Sequence, residues 1–227
     1  MTQAQVLQVF RDTGALLTGH FVLRSGLHSR QYFQCALALQ QMPLVEQLGA
    51  ALAAKVRSLN AGTVIAPAMG GLVIGQEVAR QLGTRFIFAE KEEGRLALRR
   101  GFKIASGERV LVVEDVVTKG GRVQETIEIV RASGGNVVGV AILVDRSNGV
   151  VDLGMPLFSL LTLDVEAFPG DQLPPGRRRV EVVAQAAGHG PVDGQAHHRR
   201  PVADQAVGAV DVVDRVGNYT DGIIAPG

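Results

Sequence analysis

The sequence predicts an α/β fold with a central parallel sheet flanked by helices, and three observations carry that expectation. Short continuous apolar runs recur at Thr63–Ala66, 110–113 and 137–144, as expected of strands buried on both faces. Stripes of helical period separate them: Leu44, Val45, Leu48, Leu52 and Val56; then Val73, Ile74, Val78 and Leu82; then Val123, Ile127 and Val130. Small glycine-containing turns sit where strand gives way to helix, at Gly70-Gly71 and Gly120-Gly121. Alternation of this kind places ligand-binding loops at the carboxyl edge of the sheet.

In chain order, Val6, Val9 and Phe10 indicate an amphipathic helix from Thr2 that ends near Gly14. Gly19 to Phe33 has apolar residues on both sides of a polar, glycine-containing turn and reads as a hairpin-like hood. Its aromatic pair Tyr32-Phe33 offers rings for a base and its Arg24 a charge for an anion; a small surface hairpin with inward-packed aromatics is the alternative. Pro43 suits the first turn of the next helix. Arg85 to Ala89 is a further strand ending in Glu90-Lys91. The charged segment from Glu92 to Lys103 is either a mobile basic flap or a solvated charged hairpin. Leu157 to Leu163 supplies the last strand.

Residues 108–126 carry the chemistry. The run Val110-Leu111-Val112-Val113 ends in two carboxylates, Glu114 and Asp115, followed by Val116-Val117, the turn Thr118-Lys119-Gly120-Gly121, Arg122 and a helix. Backbone N–H groups of such a turn and helix N-terminus suit a phosphate, and paired carboxylates suit sugar hydroxyls. Neither the G-x-x-x-x-G-K-[ST] loop nor the G-x-G-x-x-G dinucleotide fingerprint is present.

Composition limits the rest. A formal net charge of +1 gives no bulk basic character for nucleic-acid binding. The single cysteine, Cys35, excludes an intramolecular disulfide and fits a reducing compartment. Without a signal-like segment or a long apolar run, a cytoplasmic protein with no membrane association is expected. From Asp171 onward the composition changes: residues 171–227 contain no Lys or Phe, a single Leu and three of the five His. A domain at 1–170 (hood about 17–35) and an atypical, poorly ordered tail at 171–227 are therefore expected. The tail's richness in Ala, Gly, Val, Arg, Asp and Pro also fits an out-of-frame translation of a GC-rich gene end. Reading the coding DNA in the other two frames tests that idea, and it fails if neither continues the domain.

Residues 110–120 resemble the phosphoribosyl-pyrophosphate signature of type I phosphoribosyltransferases: four apolar residues, two acidic, two apolar, then Thr-x-Gly. Phe21-Val22-Leu23-Arg24-Ser25-Gly26, followed by Ser29-Arg30-Gln31-Tyr32-Phe33, resembles the hood of the orotate phosphoribosyltransferases. The Asp145-Arg146 pair matches that family too. The resemblance covers about residues 3 to 170. It implies the type I phosphoribosyltransferase fold and formation of orotidine 5′-monophosphate and pyrophosphate in pyrimidine (UMP) biosynthesis.

By the same resemblance Arg24, Lys91, Glu114, Asp115, Val116, Val117, Thr118, Lys119, Gly120, Gly121 and Arg122 bind phosphoribosyl pyrophosphate. Tyr32, Phe33, Thr118 and Arg146 bind orotate, and Lys91 and Asp115 are catalytic. Mg²⁺ enters on the pyrophosphate, with no direct protein metal site, and a homodimer with shared active sites is implied. Four features depart from the family pattern, the first being Arg30, where many relatives have Pro. Met69-Gly70 stands where a lysine is common, the flap is short and lacks histidine, and Arg122 replaces a Ser or Thr. A purine phosphoribosyltransferase and a non-catalytic phosphoribosyl-pyrophosphate-sensing regulator are the alternatives.

Overall fold

A computed structural model describes residues 1–22, 28–147, 149–165, 167–169 and 182–183. Helix α1 spans Gln3–Asp12. Thr2 caps it: its hydroxyl accepts from the Gln5 N–H while the Gln5 side chain accepts from the Thr2 N–H, a reciprocal capping box. Val6 and Phe10 form its buried face. The hood follows as an antiparallel pair, β1 (Leu16–Val22) and β2 (His28–Phe33), with Leu16 opposite Phe33 and Leu17 opposite Tyr32. Arg24 lies outside the described residues.

After the short helix α2 (Ala36–Leu39), α3 runs Met42–Val56 with Pro43 in its first turn, where a missing N–H costs nothing. Strand β3 (Thr63–Pro67) is buried throughout, and α4 covers Gly71–Leu82. Next come β4 (Arg85–Glu92), β5 (Arg95–Leu98), β6 (Arg109–Val117), α5 (Gly121–Ala132), β7 (Asn136–Asp145) and β8 (Leu157–Thr162). They build a six-stranded sheet in the order β5-β4-β3-β6-β7-β8, parallel except for the β4–β5 pair.

Alternation along the strands divides the core. Leu111, Val113, Ala141 and Leu143 point to the face covered by α1, α3 and α4. Val110, Val112, Val140 and Ile142 point to the face covered by α5, against Val123, Ile127 and Val130. Every one of these side chains is fully or almost fully buried, so the continuous apolar runs reflect helices on both faces.

The strand order places the topological switch point between β3 and β6, where the chain leaves β3 first toward β4 and later returns on its other side. Ligands bind at such crevices beyond the carboxyl ends of the strands. The registered pairing of β3 with β6 ends at Ile65–Val112, whereas β7 accompanies β6 to Val117–Asp145. The last residues of β6 are thus supported from one side and open on the other.

Four expectations change in detail. The acidic pair does not follow the strand: Glu114 and Asp115 lie within β6, because pairing with β7 carries the strand through to Val117. Strand β4 continues past Ala89 to Glu92, and the flap segment is a tight hairpin with β5. Its two turn residues, Glu93 (φ 50°) and Gly94 (φ 89°), are both left-handed, the pattern of a type I′ turn that matches strand twist. Arg99–Glu92 (3.3 Å) and Arg100–Glu90 (2.9 Å) ion pairs bind the hairpin's charges to each other. Leu157–Thr162 is not the final strand, since β9 (Ala167–Phe168) pairs with β2. Two residues of the tail, Val182–Val183 (β10), pair in parallel with Phe21 and Val22, so the hood sheet extends past residue 170. The rest of the tail lies outside the described residues. Among the described residues no helix is long and apolar enough to cross a membrane.

Candidate active site

The β6–α5 connection forms one wall of a cleft of ≈ 360 Å³ lined by Gly70 and by every residue from Glu114 to Val123. All the residues of this stretch expected to bind phosphoribosyl pyrophosphate are brought together. Gly120 takes φ +74°, the left-handed conformation open to glycine at little cost, and turns the chain into α5. A Cβ there would also meet Val151 Cγ1 at 2.9 Å. Thr118, Lys119, Gly121 and Arg122 are exposed to the cleft side, so the first turn of α5 offers its free N–H groups to an anion.

Gly70 and Gly71 form the opposite wall. A Cβ at Gly70 would lie 2.8 Å from Asp115 Oδ1, and one at Gly71 would lie 2.9 Å from the Val113 carbonyl oxygen and 3.1 Å from Glu114 Oε1. Only residues without a side chain let the β3–α4 loop approach the acidic pair this closely. Gly70 lines the cleft in the second strand–glycine loop–helix unit, whose glycine pair directly after a buried strand was the signal for a ligand loop at this edge. The loop also carries a cis peptide bond between Ala68 and Met69. Arg122 reaches across from the other wall, its Nη1 donating to the Ala68 carbonyl at 3.4 Å. This links the two loops through a side chain that a Ser or Thr could not match in length.

The two carboxylates differ. Glu114 is buried, its Oε1 accepting the Asp115 N–H at 3.0 Å. Burial, followed by the charge of Asp115, pushes its carboxyl well above the usual carboxylate range, with Arg122 opposing. Asp115 is only half-buried and accepts the Val116 N–H at 2.8 Å. One carboxyl is therefore held in the floor and the other presented to the cleft.

A second cluster stands beside the first. Arg146 follows β7, and its backbone N–H donates to the Val117 carbonyl at 2.8 Å, tying it to the end of β6. Its guanidinium lies over the Phe33 ring, 5.5 Å from the centroid. Desolvation lowers its pKa, and its buried Nε has no hydrogen-bond partner among the described residues. Cys35 is buried; burial, then the carboxylates of Asp115 and Glu114, push its thiol well up, with Arg146 opposing. Phe33 itself is 8% exposed and packs edge-on against Phe10 at 5.7 Å, while Tyr32 is half-buried and stacks on Phe21 at 5.6 Å. Lys91 is exposed on β4 and is not among the residues lining the cleft.

Comparison with known proteins accords with this geometry. A family model described as a phosphoribosyl transferase domain matches residues 36–170. The orotate phosphoribosyltransferase of Pelotomaculum thermopropionicum is 53% identical over 174 residues, covering 77% of this chain and 92% of that protein. The chain belongs to the orotate phosphoribosyltransferase family. The Caldicellulosiruptor bescii member is 51% identical over 183 residues, covering 81% of this chain and 96% of its own. Among solved structures, the orotate phosphoribosyltransferase of Aeropyrum pernix aligns with TM-score 0.59 and 27% identity, over 70% of this chain and 93% of that one. An adenine phosphoribosyltransferase from Thermoanaerobacter pseudethanolicus aligns with TM-score 0.53 at 19% identity, over 59% of this chain and 88% of that one. The fold is thus shared between enzymes named for different bases, and the choice of orotate rests on sequence. The family model ends where the composition of the chain changes, at residue 170.

Proposed function

We infer that this chain transfers the 5-phosphoribosyl group of phosphoribosyl pyrophosphate to orotate, forming orotidine 5′-monophosphate and releasing pyrophosphate. The observation that carries this reading is the placement of a half-buried arginine, Arg146, at the same sheet edge as the Glu114–Asp115 pair. A carboxylated base and a phosphorylated sugar need opposite charges side by side, and this edge supplies both.

In this reading the 5′-phosphate rests on the N–H groups from Thr118 to Arg122, where the helix dipole adds to the hydrogen bonds. Glu114 and Asp115 take the ribose hydroxyls. The half-buried Asp115 is the acceptor that faces the sugar, and the protonation-prone Glu114 fixes the backbone that presents it. Arg146 holds the orotate carboxylate, with Thr118 nearby, so that the base nitrogen stands ready to attack the anomeric carbon. That bond forms as the bond to the pyrophosphate oxygen breaks, the nitrogen attacking as its anion after its proton has passed to solvent. Holding the partners in line is the main contribution, and it can supply several orders of magnitude. Charge accumulates on the leaving pyrophosphate, and Lys91 is the cation assigned to it.

Mg²⁺ keeps waters and phosphate oxygens and needs few protein ligands. Asp115, the half-buried carboxylate of the cleft, would be the oxygen donor offered to a pyrophosphate-borne ion, which would supply positive charge to the leaving group.

The exposed position of Lys91 outside the cleft lining fits a homodimer in which its hairpin serves the second copy. Sedimentation of the active protein tests this, since a monomer with full activity would reject it. For the activity, pyrophosphate release is measured with phosphoribosyl pyrophosphate, Mg²⁺ and orotate, adenine or hypoxanthine in turn. Release with orotate alone is expected, and turnover of a purine alone would overturn the assignment.

A further inference from the structure

We propose that Phe33 and Phe10 are positioning residues that hold the Arg146 guanidinium, so that the N-terminal helix α1 takes part in selecting the base. Resemblance assigns the hood aromatics to contact with orotate. The geometry gives Phe33 another task. Its ring is 8% exposed, which leaves little face for a ligand. The face it does offer is covered by Arg146, 5.5 Å from its centroid. Its flank is held by Phe10, fully buried on α1, at 5.7 Å and an interplanar angle of 79°. Edge-to-face contact of this kind directs the positive rim of one ring at the negative face of the other and fixes the second ring's orientation.

Arg146 needs such a support. Among the described residues it has no salt bridge, and its buried Nε lacks an acceptor. A guanidinium taken out of water and left without a carboxylate is held by whatever π-face and backbone it meets. The backbone part is the Arg146 N–H to the Val117 carbonyl. The π-face is Phe33. A cation fixed in this way, with donor capacity unused, is preorganised for a planar anion, since the rotamer is set before the ligand arrives. Tyr32, by contrast, stacks on Phe21 within the hood and stays half-buried.

The inference rests on the orotate reading for its kinetic consequence but not for its structural one. In the ligand-free protein, the Arg146 Nε–Hε resonance is expected to carry a ring-current shift. That shift should disappear in Phe33→Leu, persist in Phe33→Tyr and move partway in Phe10→Leu. In kinetics, Phe33→Leu is expected to raise the orotate KM roughly tenfold, with the phosphoribosyl-pyrophosphate KM within about twofold of wild type. Phe33→Tyr restores the orotate KM, and Phe10→Leu raises it a few-fold.

An unshifted Arg146 resonance in the wild type overturns the proposal. So do equal rises in both KM values, or a Phe33→Leu enzyme with unchanged orotate KM. If Phe33→Leu does not fold, the wild-type resonance and Phe10→Leu decide. A wild type that fails to use orotate would defeat the functional reading while leaving the resonance test standing.

Discussion

The β6–α5 connection and the β4–β5 hairpin both carry dense charge at the same edge of the sheet, yet they are built on opposite principles. In the hairpin most of the arginine charge is answered locally: Arg100 meets Glu90, Arg99 meets Glu92, and Arg100 also lies over the Phe88 ring at 5.6 Å, while Lys91 stands outside these pairs. In the β6–α5 connection the carboxylates meet no cation within salt-bridge distance among the described residues, and the glycine turn beside them leaves N–H groups free. An element whose charges are already paired gains little from a ligand; one whose charges are held apart is arranged for one. Unsatisfied polarity, more than charge density, marks the site.

Substitutions can break or sharpen that contrast. The largest effect is expected from Asp115→Ala, which removes the carboxylate that faces the cleft. The kcat/KM for phosphoribosyl pyrophosphate should fall on the order of 10²-fold or more, measured by initial rates.

Next come one left-handed glycine from each element, Gly120 and Gly94. Gly120→Ala strains the backbone and drives a methyl toward Val151, so a loss of ~1–2 kcal/mol in urea unfolding and a clear loss of phosphate affinity are expected. Gly94→Ala has the same sign of φ but open space around it, so ~1 kcal/mol of stability and unchanged phosphoribosyl-pyrophosphate affinity are expected. If both variants lost affinity alike, the hairpin turn would belong to the site.

Glu114→Gln gives a pH signature. The folded-state pKa of Glu114 is raised by burial and by Asp115. Its contribution to stability is thus fully present below the ordinary carboxylate range and is lost as pH rises through the raised value. The glutamine variant escapes that loss. Its stability relative to wild type should grow as pH rises above the ordinary carboxylate range in urea titrations, while its activity falls. A constant difference over that rise in pH would remove the basis for treating Glu114 as a carboxyl whose buried site favours the protonated form. The smallest effect belongs to Arg100→Ala, whose exposed ion pair should cost no more than ~1 kcal/mol.

How much of this was legible in the sequence depended on where each feature gets its stability. Val110–Val113 declares a strand because both faces are covered, and Gly120-Gly121 declares the turn because few other residues reach that backbone conformation. Glu114 and Asp115 were legible as chemistry but not as strand. Carboxylates are poor strand formers, and it is β7, contributed from across the sheet, that carries β6 through them. The hairpin was ambiguous for a related reason: its charges resemble a solvated loop until partners on both strands are paired.

Strands β9 and β10, two residues each, are too short to form alone and exist through pairing with β2 and β1, although Val182-Val183 gave a faint local signal. Phe33 was legible as an aromatic of the hood but not as the ring beneath Arg146. The residues that cover it, Phe10 and Arg146, stand 23 positions before and 113 after it in the chain.

Calorimetric titration of phosphoribosyl pyrophosphate with Mg²⁺ into Asp115→Asn and Lys91→Ala tests the central contrast most directly. Affinity should fall by at least about tenfold in Asp115→Asn and stay within about twofold of wild type in Lys91→Ala, whose loss should show in turnover instead. Affinity retained in Asp115→Asn and lost in Lys91→Ala would contradict the assignment of the ligand site to the β6–α5 connection.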